Sequence, residues 1–405
     1  MRPPVTAVLA ALVLSLFLSA CKGTATAPSG PRLAIEPDDG RTFILDAIAG
    51  ATNNIRLTIY EITDLATVQQ TPAAPADGVV QALIDAAHRG VAVRVIVDQG
   101  QYGSGSSATQ IQQTVGAMRN AGIAVHLSST AFCVTHEKTF VIDGPASGFS
   151  GTAGKALILS FNLMPSYFGG TRDYGVITDD QGVVQEVSRV FDSDFTLPSP
   201  NPGCAYAYTP AKTVPPPSAS DTPALGQASL LFTPANSKAK LLEIIGSARQ
   251  SLVLTTEELE DDDSICAVAA VARAAARPSV QILLSGDTGS NAAGVKTLLG
   301  LGLPNLSIRV MPGVPPPASA PSYQTPLYMH GKQVIADGLR AYVGSENLTN
   351  TSLLQNRELG TFFDDPGMIA TLQAAFTSDF ATPGNSLPAQ ACTTGSQCVT
   401  ITCPP

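Results

Sequence analysis

Apolar residues recur along this chain in two rhythms, and the same succession of rhythms occurs twice. In the first copy, three- and four-residue spacing over RTFILDAIAGAT (41–52) predicts a helix. A β-branched run, NIRLTIYEI (54–62), then predicts a strand, followed by a helix at VVQALIDAAHRG (79–90) and a strand at VAVRVIVD (91–98). The second copy repeats the order with KAKLLEIIGSARQ (238–250), SLVLTTEEL (251–259), ICAVAAVARAAARP (265–278) and VQILLSGD (280–287). Each copy adds a helix and a short strand, TQIQQTVGAMRNAGIAVHL (109–127) and AAGVKTLLGLGLPNLSIRV (292–310). Gly90 after Arg89 marks a helix end, since glycine accepts the left-handed conformation that closes a helix. Further on, DYGVITDDQGVVQEVSRVFDSDFTLP (173–198) matches ELGTFFDDPGMIATLQAAFTSDFATP (358–383).

Alternating strands and helices predict an α/β fold of two similar sandwich-like halves, each a mixed sheet flanked by helices, related by a pseudo-twofold axis. The expected organisation is a targeting segment at 1–20, a tether at 21–32 and a first repeat at 33–197. A Pro-rich linker at 198–226, a second repeat at 227–382 and a Cys-containing tail at 383–405 follow. The first copy has nine extra residues in the hairpin-like GPASGFSGTAGK (144–155), a place where insertion leaves flanking strands in register. GVPPPASAPSYQTP (313–326) reads either as a rim to a cleft or as a plain connecting loop.

The N-terminus changes the picture of where the chain works. Arg2 precedes an apolar run from Val5 to Leu18 that is short for a membrane span. The run ends Leu18-Ser19-Ala20-Cys21, which resembles a bacterial lipoprotein signal, implying lipidation of Cys21 and a place in the cell envelope. An ordinary secretory signal and an uncleaved anchor are the alternatives. Six other cysteines (Cys133, Cys204, Cys266, Cys392, Cys398, Cys403) suit up to three disulfides in an exported protein. A zinc site lacks the usual Cys-x-x-Cys pair.

In 405 residues, 44% hydrophobic content is ample for buried cores, and the net charge of -9 opposes attraction to nucleic acid. Against that sparse charge one pattern stands out. Only four histidines occur, and His136 and His330 each head an H-x-K-x4-D, with Lys138 and Asp143, and Lys332 and Asp337. A His and a Lys two apart on a strand share one face, which offers a nucleophile or acid beside a fixed cation. Two such faces brought together suit phosphoryl transfer.

A second strand in each copy carries a hydroxyl and an amide two apart, Ser160 with Asn162 and Ser345 with Asn347. Eleven residues after each Asn comes an acid, Asp173 or Glu358, able to orient a histidine and fix its tautomer. Asp143 and Asp337 lie at odd spacing from their histidines and should brace the turns before Gly144 and Gly338. Glu61 and Glu258 match across the repeat and suit a supporting polar role. The run EELEDDD (257–263) lacks the glycine and spacing of a calcium loop and reads as a solvated acidic loop. His88 and His126 read as ordinary histidines.

HEKTFVID, HGKQVIAD, VGSENLTN and NRELG together resemble the phospholipase D superfamily, over about residues 33 to 382. The first copy departs in Leu159 where Gly usually precedes the Ser, in Asp173 where Glu is common, and in the insertion. The resemblance implies that His136 attacks phosphorus and His330 protonates the departing alcohol. It implies that Lys138, Lys332, Asn162 and Asn347 hold the non-bridging oxygens, with no metal and no cofactor. The two histidines should face one cleft in a single, monomeric chain, in environments made unequal by the insertion and the differing opposite-copy acids. Lipid anchoring favours a phospholipid substrate at the membrane and hydrolysis of its head group, with no nucleic-acid partner. Cardiolipin synthase-like transfer, a secreted nuclease and a non-catalytic lipid-binding protein are the other readings.

Overall fold

The computed structural model describes residues 30–65, 78–145, 154–198, 229–315, 326–382 and 384–404. Cys21 with the targeting segment, nearly all of the tether and linker, the centre of the 144–155 hairpin and most of the 313–326 loop lie outside the described residues.

The first half runs β1 (Arg32–Glu36), α1 (Thr42–Ala49), β2 (Asn54–Ile59), α2 (Val79–His88), β3 (Ala92–Val97), α3 (Gln99–Ser104) and α4 (Ala108–Asn120). It continues through β4 (Ala124–Leu127), β5 (Lys138–Ile142), β6 (Lys155–Leu159), α5 (Tyr167–Gly170), β7 (Thr171–Thr178) and α6 (Gln181–Thr196). The second half opens with β8 (Leu230–Thr233), α7 (Ser237–Ser247), β9 (Ser251–Thr256), α8 (Asp262–Arg273), β10 (Ser279–Leu284) and α9 (Ala292–Leu299). Then come β11 (Leu306–Val310), β12 (Tyr328–Met329), β13 (Lys332–Ala336), β14 (Arg340–Gly344), α10 (Asn350–Leu354), β15 (Glu358–Phe363), α11 (Pro366–Ala381) and β16 (Leu387–Pro388).

The strands form two mixed sheets of matching topology, ordered β1-β7-β6-β5-β2-β3-β4 and β16-β11-β10-β9-β13-β14-β15-β8. β1 and β8 were not anticipated from the pattern; they complete each sheet by pairing antiparallel to β7 and β15. One face of the first sheet packs on α1, α2 and α4 through residues such as Ile44, Leu83 and Ile111, and the second sheet does the same with Leu241, Val268 and Leu298. Each helix is amphipathic, so burying its apolar stripe on the sheet drives the assembly at about 25 cal/mol per Å² removed from water.

The opposite faces meet between the halves. One shared cluster joins Ile35, Tyr174 and Val176 to Val253, Met329, Val343 and Leu372; another joins Ile158, Val184 and Val187 to Leu230, Phe232 and Leu359. Two buried arginines cross this boundary. Arg172 of β7 pairs with Asp379 of α11 at 2.7 Å, and Arg357 pairs with Asp194 of α6 at 2.8 Å. Both acids belong to repeated Ser-Asp-Phe triplets, a signal the sequence carried without showing its use.

The tail beyond 383 is held on the second half: Cys266 of α8 bonds to Cys403, Cys392 bonds to Cys398, and β16 pairs with β11. Cys204 lies outside the described residues. Among the described residues no helix is long and apolar enough to cross a membrane.

Candidate active site

Main-chain bridges place each motif histidine on the opposite half. β12, which leads into His330, pairs with the first-half strand β7, and the His330 and Gly331 amides donate to the Arg172 carbonyl. The mirror arrangement has Thr135 bridging Arg357, with the His136 amide donating to the Arg357 carbonyl at 2.9 Å. Arg172 and Arg357 each precede an acid, so each histidine ring meets a carboxylate from the other half. His136 Nδ1 lies 2.8 Å from Glu358 Oε2, and His330 Nδ1 lies 2.9 Å from Asp173 Oδ1.

A carboxylate only accepts, so in each ring Nδ1 carries the proton towards it and Nε2 is the nitrogen left for the chemistry. The carboxylates are themselves fixed. Glu358 also accepts from Ser345 Oγ, Ser352 Oγ and Asn356 Nδ2, and Asp173 accepts from Ser160 Oγ at 2.6 Å. Thus Ser160 and Ser345 hold the acids, one step behind the cleft. Tyr60 stands edge-on to His136 and Tyr167 edge-on to His330, with ring centroids 4.8 and 5.0 Å apart.

Lys138 and Lys332 open β5 and β13, and each donates to the carbonyl of its own motif histidine. Both are about 1% exposed, so their charges act with little screening. Burial pushes the Lys138 ammonium down to about 7, and Lys332 pushes the same way against Glu358, Glu257 and Glu61. Burial also lowers His136 to about 4, although Glu358 pulls upward. The His136 imidazole is therefore neutral throughout the neutral range. Burial tends to raise the Glu358 carboxyl, but His136 and Lys138 outweigh it and hold it below the usual carboxylate range.

Asn347 lines the cleft and Asn162 is buried, and both have their amide nitrogens engaged by acids. Asn162 Nδ2 donates to Glu61 Oε2 at 2.8 Å, and Asn347 Nδ2 donates to Glu257 and Glu258 at 3.2 and 3.3 Å. A phosphate oxygen seeking these donors must compete with those carboxylates. Glu61 and Glu258 are thus matched partners of the two asparagines. Burial raises Glu61 to about 7, opposed by Lys138.

The acidic run after β9 is the expected solvated loop only in part: Glu260, Asp262 and Asp263 are exposed. Glu257 reaches Lys332, and Asp261, 1% exposed, caps α8 by accepting from the Ser264 amide. Charge composition does not distinguish Glu257 and Asp261 from their exposed neighbours, because only the fold sets Glu257 just past the cleft end of a buried strand and Asp261 at the start of α8. The repeat carried the clue, since Tyr60-Glu61 and Glu257-Glu258 are equivalent pairs.

Asp143 and Asp337 lie away from this space. Each has a positive φ, 50° and 56°, and gathers backbone amides: Thr52, Asn53 and Asn54 for Asp143, and Arg249, Gln250 and Ser251 for Asp337. They tie the end of each motif strand to the start of β2 or β9. His126 stacks on Phe195, and His88 is exposed at the end of α2. Among the described residues no group of three His, Cys, Asp or Glu side chains is placed to hold a metal ion.

A family model described as "Cardiolipin synthase, PLD-like domain" matches residues 44–195 and 241–380. A search of curated protein sequences finds no match. Among solved structures, polyphosphate kinase from Porphyromonas gingivalis is 17% identical with a TM-score of 0.58, covering 90% of this chain, which spans 50% of that kinase. Phosphatidylserine synthase from Haemophilus influenzae is 13% identical with a TM-score of 0.58, covering 89% of this chain and 87% of its own. At these identities the likeness is one of fold. The family match extends over most of the chain and takes in both motifs, so the chain belongs to the phospholipase D superfamily.

Proposed function

We propose that this protein is a phospholipase D-type phosphodiesterase that hydrolyses phospholipid head groups through a phosphohistidine intermediate. The observation that carries the reading is the exchange of carboxylates: two histidines, each with a lysine two residues on, are each oriented by the opposite half. His136 Nε2 attacks phosphorus, helped by its neutral resting state, while Glu358 stabilises the positive charge that grows on the ring. His330 gives a proton to the departing alcohol and then takes one from water. Lys138 and Lys332 balance the charge on the non-bridging oxygens, and Asn162 and Asn347 join them once the phosphate has displaced their carboxylate partners. No step needs a cofactor or a metal.

The test is head-group release from phospholipid in detergent micelles, with plasmid DNA alongside. Acid-labile label should appear on His136, and lipid should be the better substrate. Cleavage of DNA but not lipid would replace this reading with that of a nuclease. The matching family description names a cardiolipin synthase, which favours transfer as the second reading, because an alcohol can replace water at the same intermediate. Adding glycerol and looking for transphosphatidylation products separates the two. We also propose that lipid on Cys21 anchors the enzyme to the envelope membrane; an unmodified N-terminus by intact mass would exclude this.

A further inference from the structure

The phosphodiesterase reading leaves open which phosphodiester the cleft prefers, and one acidic residue bears on that choice. Ile59 pairs with Lys138 in the first sheet and Thr255 with Gln333 in the second, so Tyr60 and Glu257 occupy equivalent positions at the cleft end of their strands. The first half presents an aromatic ring to its histidine there. The second half presents a carboxylate.

Glu257 is placed among the groups that the mechanism assigns to substrate. Its Oε2 lies 3.1 Å from Lys332 Nζ, 3.2 Å from Asn347 Nδ2 and 3.6 Å from His330 Nε2. Its Oε1 accepts from the Tyr328 hydroxyl at 2.7 Å. Next to it, Glu258 accepts from Ser290 Oγ at 2.9 Å. The neighbouring cleft, about 370 Å³, contains His136, Asn347, Glu258 and Glu260, and among the described residues neither Lys nor Arg lines it. Asn347 is only 6% exposed, and its Oδ1 is buried with no hydrogen-bond partner. The buried unsatisfied atoms of this lining are acceptors, and the charged side chains of the lining are carboxylates, which suits a positively charged donor and disfavours a second anion.

We propose that the cleft selects zwitterionic phosphodiesters: the phosphate enters the His–Lys grip, and an ammonium on the departing alcohol is taken by Glu257 with Glu258. An entering phosphate displaces Glu257 from Lys332 and leaves two negative groups close together. An ammonium two carbons from the ester oxygen neutralises that repulsion beside His330, where the alcohol departs. A glycerol head group offers no such charge, and a polyanion makes the repulsion worse. This assignment rests on the phosphodiesterase reading and on His330 being the acid.

The experiment compares phosphatidylethanolamine and phosphatidylglycerol in the same uncharged detergent micelles, measuring released alcohol for the wild type and for Glu257→Gln. The wild type should favour the ethanolamine lipid in kcat/KM. Glu257→Gln should shrink that preference about tenfold, the effect of one close charge pair, mostly through KM. Glu257→Tyr, which restores the first-half residue, should shrink it as well. Binding of inorganic phosphate, followed by calorimetry, reports folding independently and should tighten in Glu257→Gln, because an internal competitor is gone. Equal wild-type rates on both lipids would overturn the proposal and leave the phosphodiesterase reading standing. Equal losses on both lipids in Glu257→Gln would make the residue part of the general machinery, which also overturns it. Wild-type inactivity on both lipids would instead remove the function on which the proposal rests.

Discussion

Replacing Glu358 by Gln tests the exchanged carboxylates most directly. The change is nearly isosteric and keeps hydrogen-bonding capacity beside Ser352, Asn356 and Ser345. It leaves two outcomes for His136. If the new amide nitrogen faces Nδ1, the ring must take the other tautomer, and Nε2 carries a proton where it should attack. If the amide oxygen faces Nδ1, the tautomer survives but the cationic ring formed on phosphorylation loses its counter-charge. With charge centres about 4 Å apart at an effective dielectric of about 20, that counter-charge is worth about 4 kcal/mol, or roughly a thousandfold in rate. Loss of the tautomer costs about ten thousandfold in the well-studied serine protease triad. Glu358→Gln should therefore lower kcat by about 10³ to 10⁴, with a smaller change in KM. The assay uses a nitrophenyl phosphodiester, whose leaving group needs little protonation. Asp173→Asn should keep its first-turnover burst and accumulate phosphohistidine, since only deacylation-like attack by water is impaired. Glu358→Gln should lose the burst. The opposite pattern would reverse the two histidines, and a Glu358→Gln enzyme keeping a tenth of wild-type turnover would refute the argument altogether.

Further outcomes follow from the electrostatics of the cleft and from the Asp braces. The kcat/KM profile should fall as pH drops through about 4, where His136 takes up a proton, and again as pH rises through about 7, where Lys138 loses one in the free enzyme; Lys138→Arg should move the alkaline limb upward, and a limb that stays in place would acquit Lys138. Asp337→Ala removes three backbone amide contacts at a partly exposed site and puts Ala at positive φ, so urea unfolding should show a loss of about 2–3 kcal/mol, against under about 1 kcal/mol for Asp337→Asn. Burial tends to raise the Asp337 carboxyl, but hydrogen bonds from the Ser251, Gln250 and Arg249 amides together outweigh it and hold it below the usual range, so its contribution is complete at neutral pH and drains as pH falls through its lowered folded value. Activity per folded molecule should survive Asp337→Asn, and its loss would place this Asp in the chemistry.

The sequence by itself determined the doubled α/β architecture, because helix and strand rhythms record which face each segment buries, and a repeated succession of them implies a repeated fold. It also determined that His136 and Lys138, like His330 and Lys332, share a strand face, since two-residue spacing is local geometry. The Asp of each motif was legible as a brace for the same reason: odd spacing points it elsewhere. Local patterns could not show how the halves engage. That Arg172 meets Asp379 and Arg357 meets Asp194 depends on the packing of the halves, although all four residues sit in visibly repeated segments. The pairing of His136 with Glu358 and of His330 with Asp173 is likewise made by bridges between residues about 160 to 220 apart, Thr135 to Arg357 and Tyr328 to Thr171. Glu257 shows the limit most clearly. In sequence it opens an acidic run, and charge composition sends such runs to solvent. In the fold it directly follows a buried strand and lies beside Lys332, where attraction in a weakly screening cleft outweighs the cost of keeping a carboxylate from water. Only tertiary structure decided that, because it alone sets how far each charge stands from its partners and from solvent.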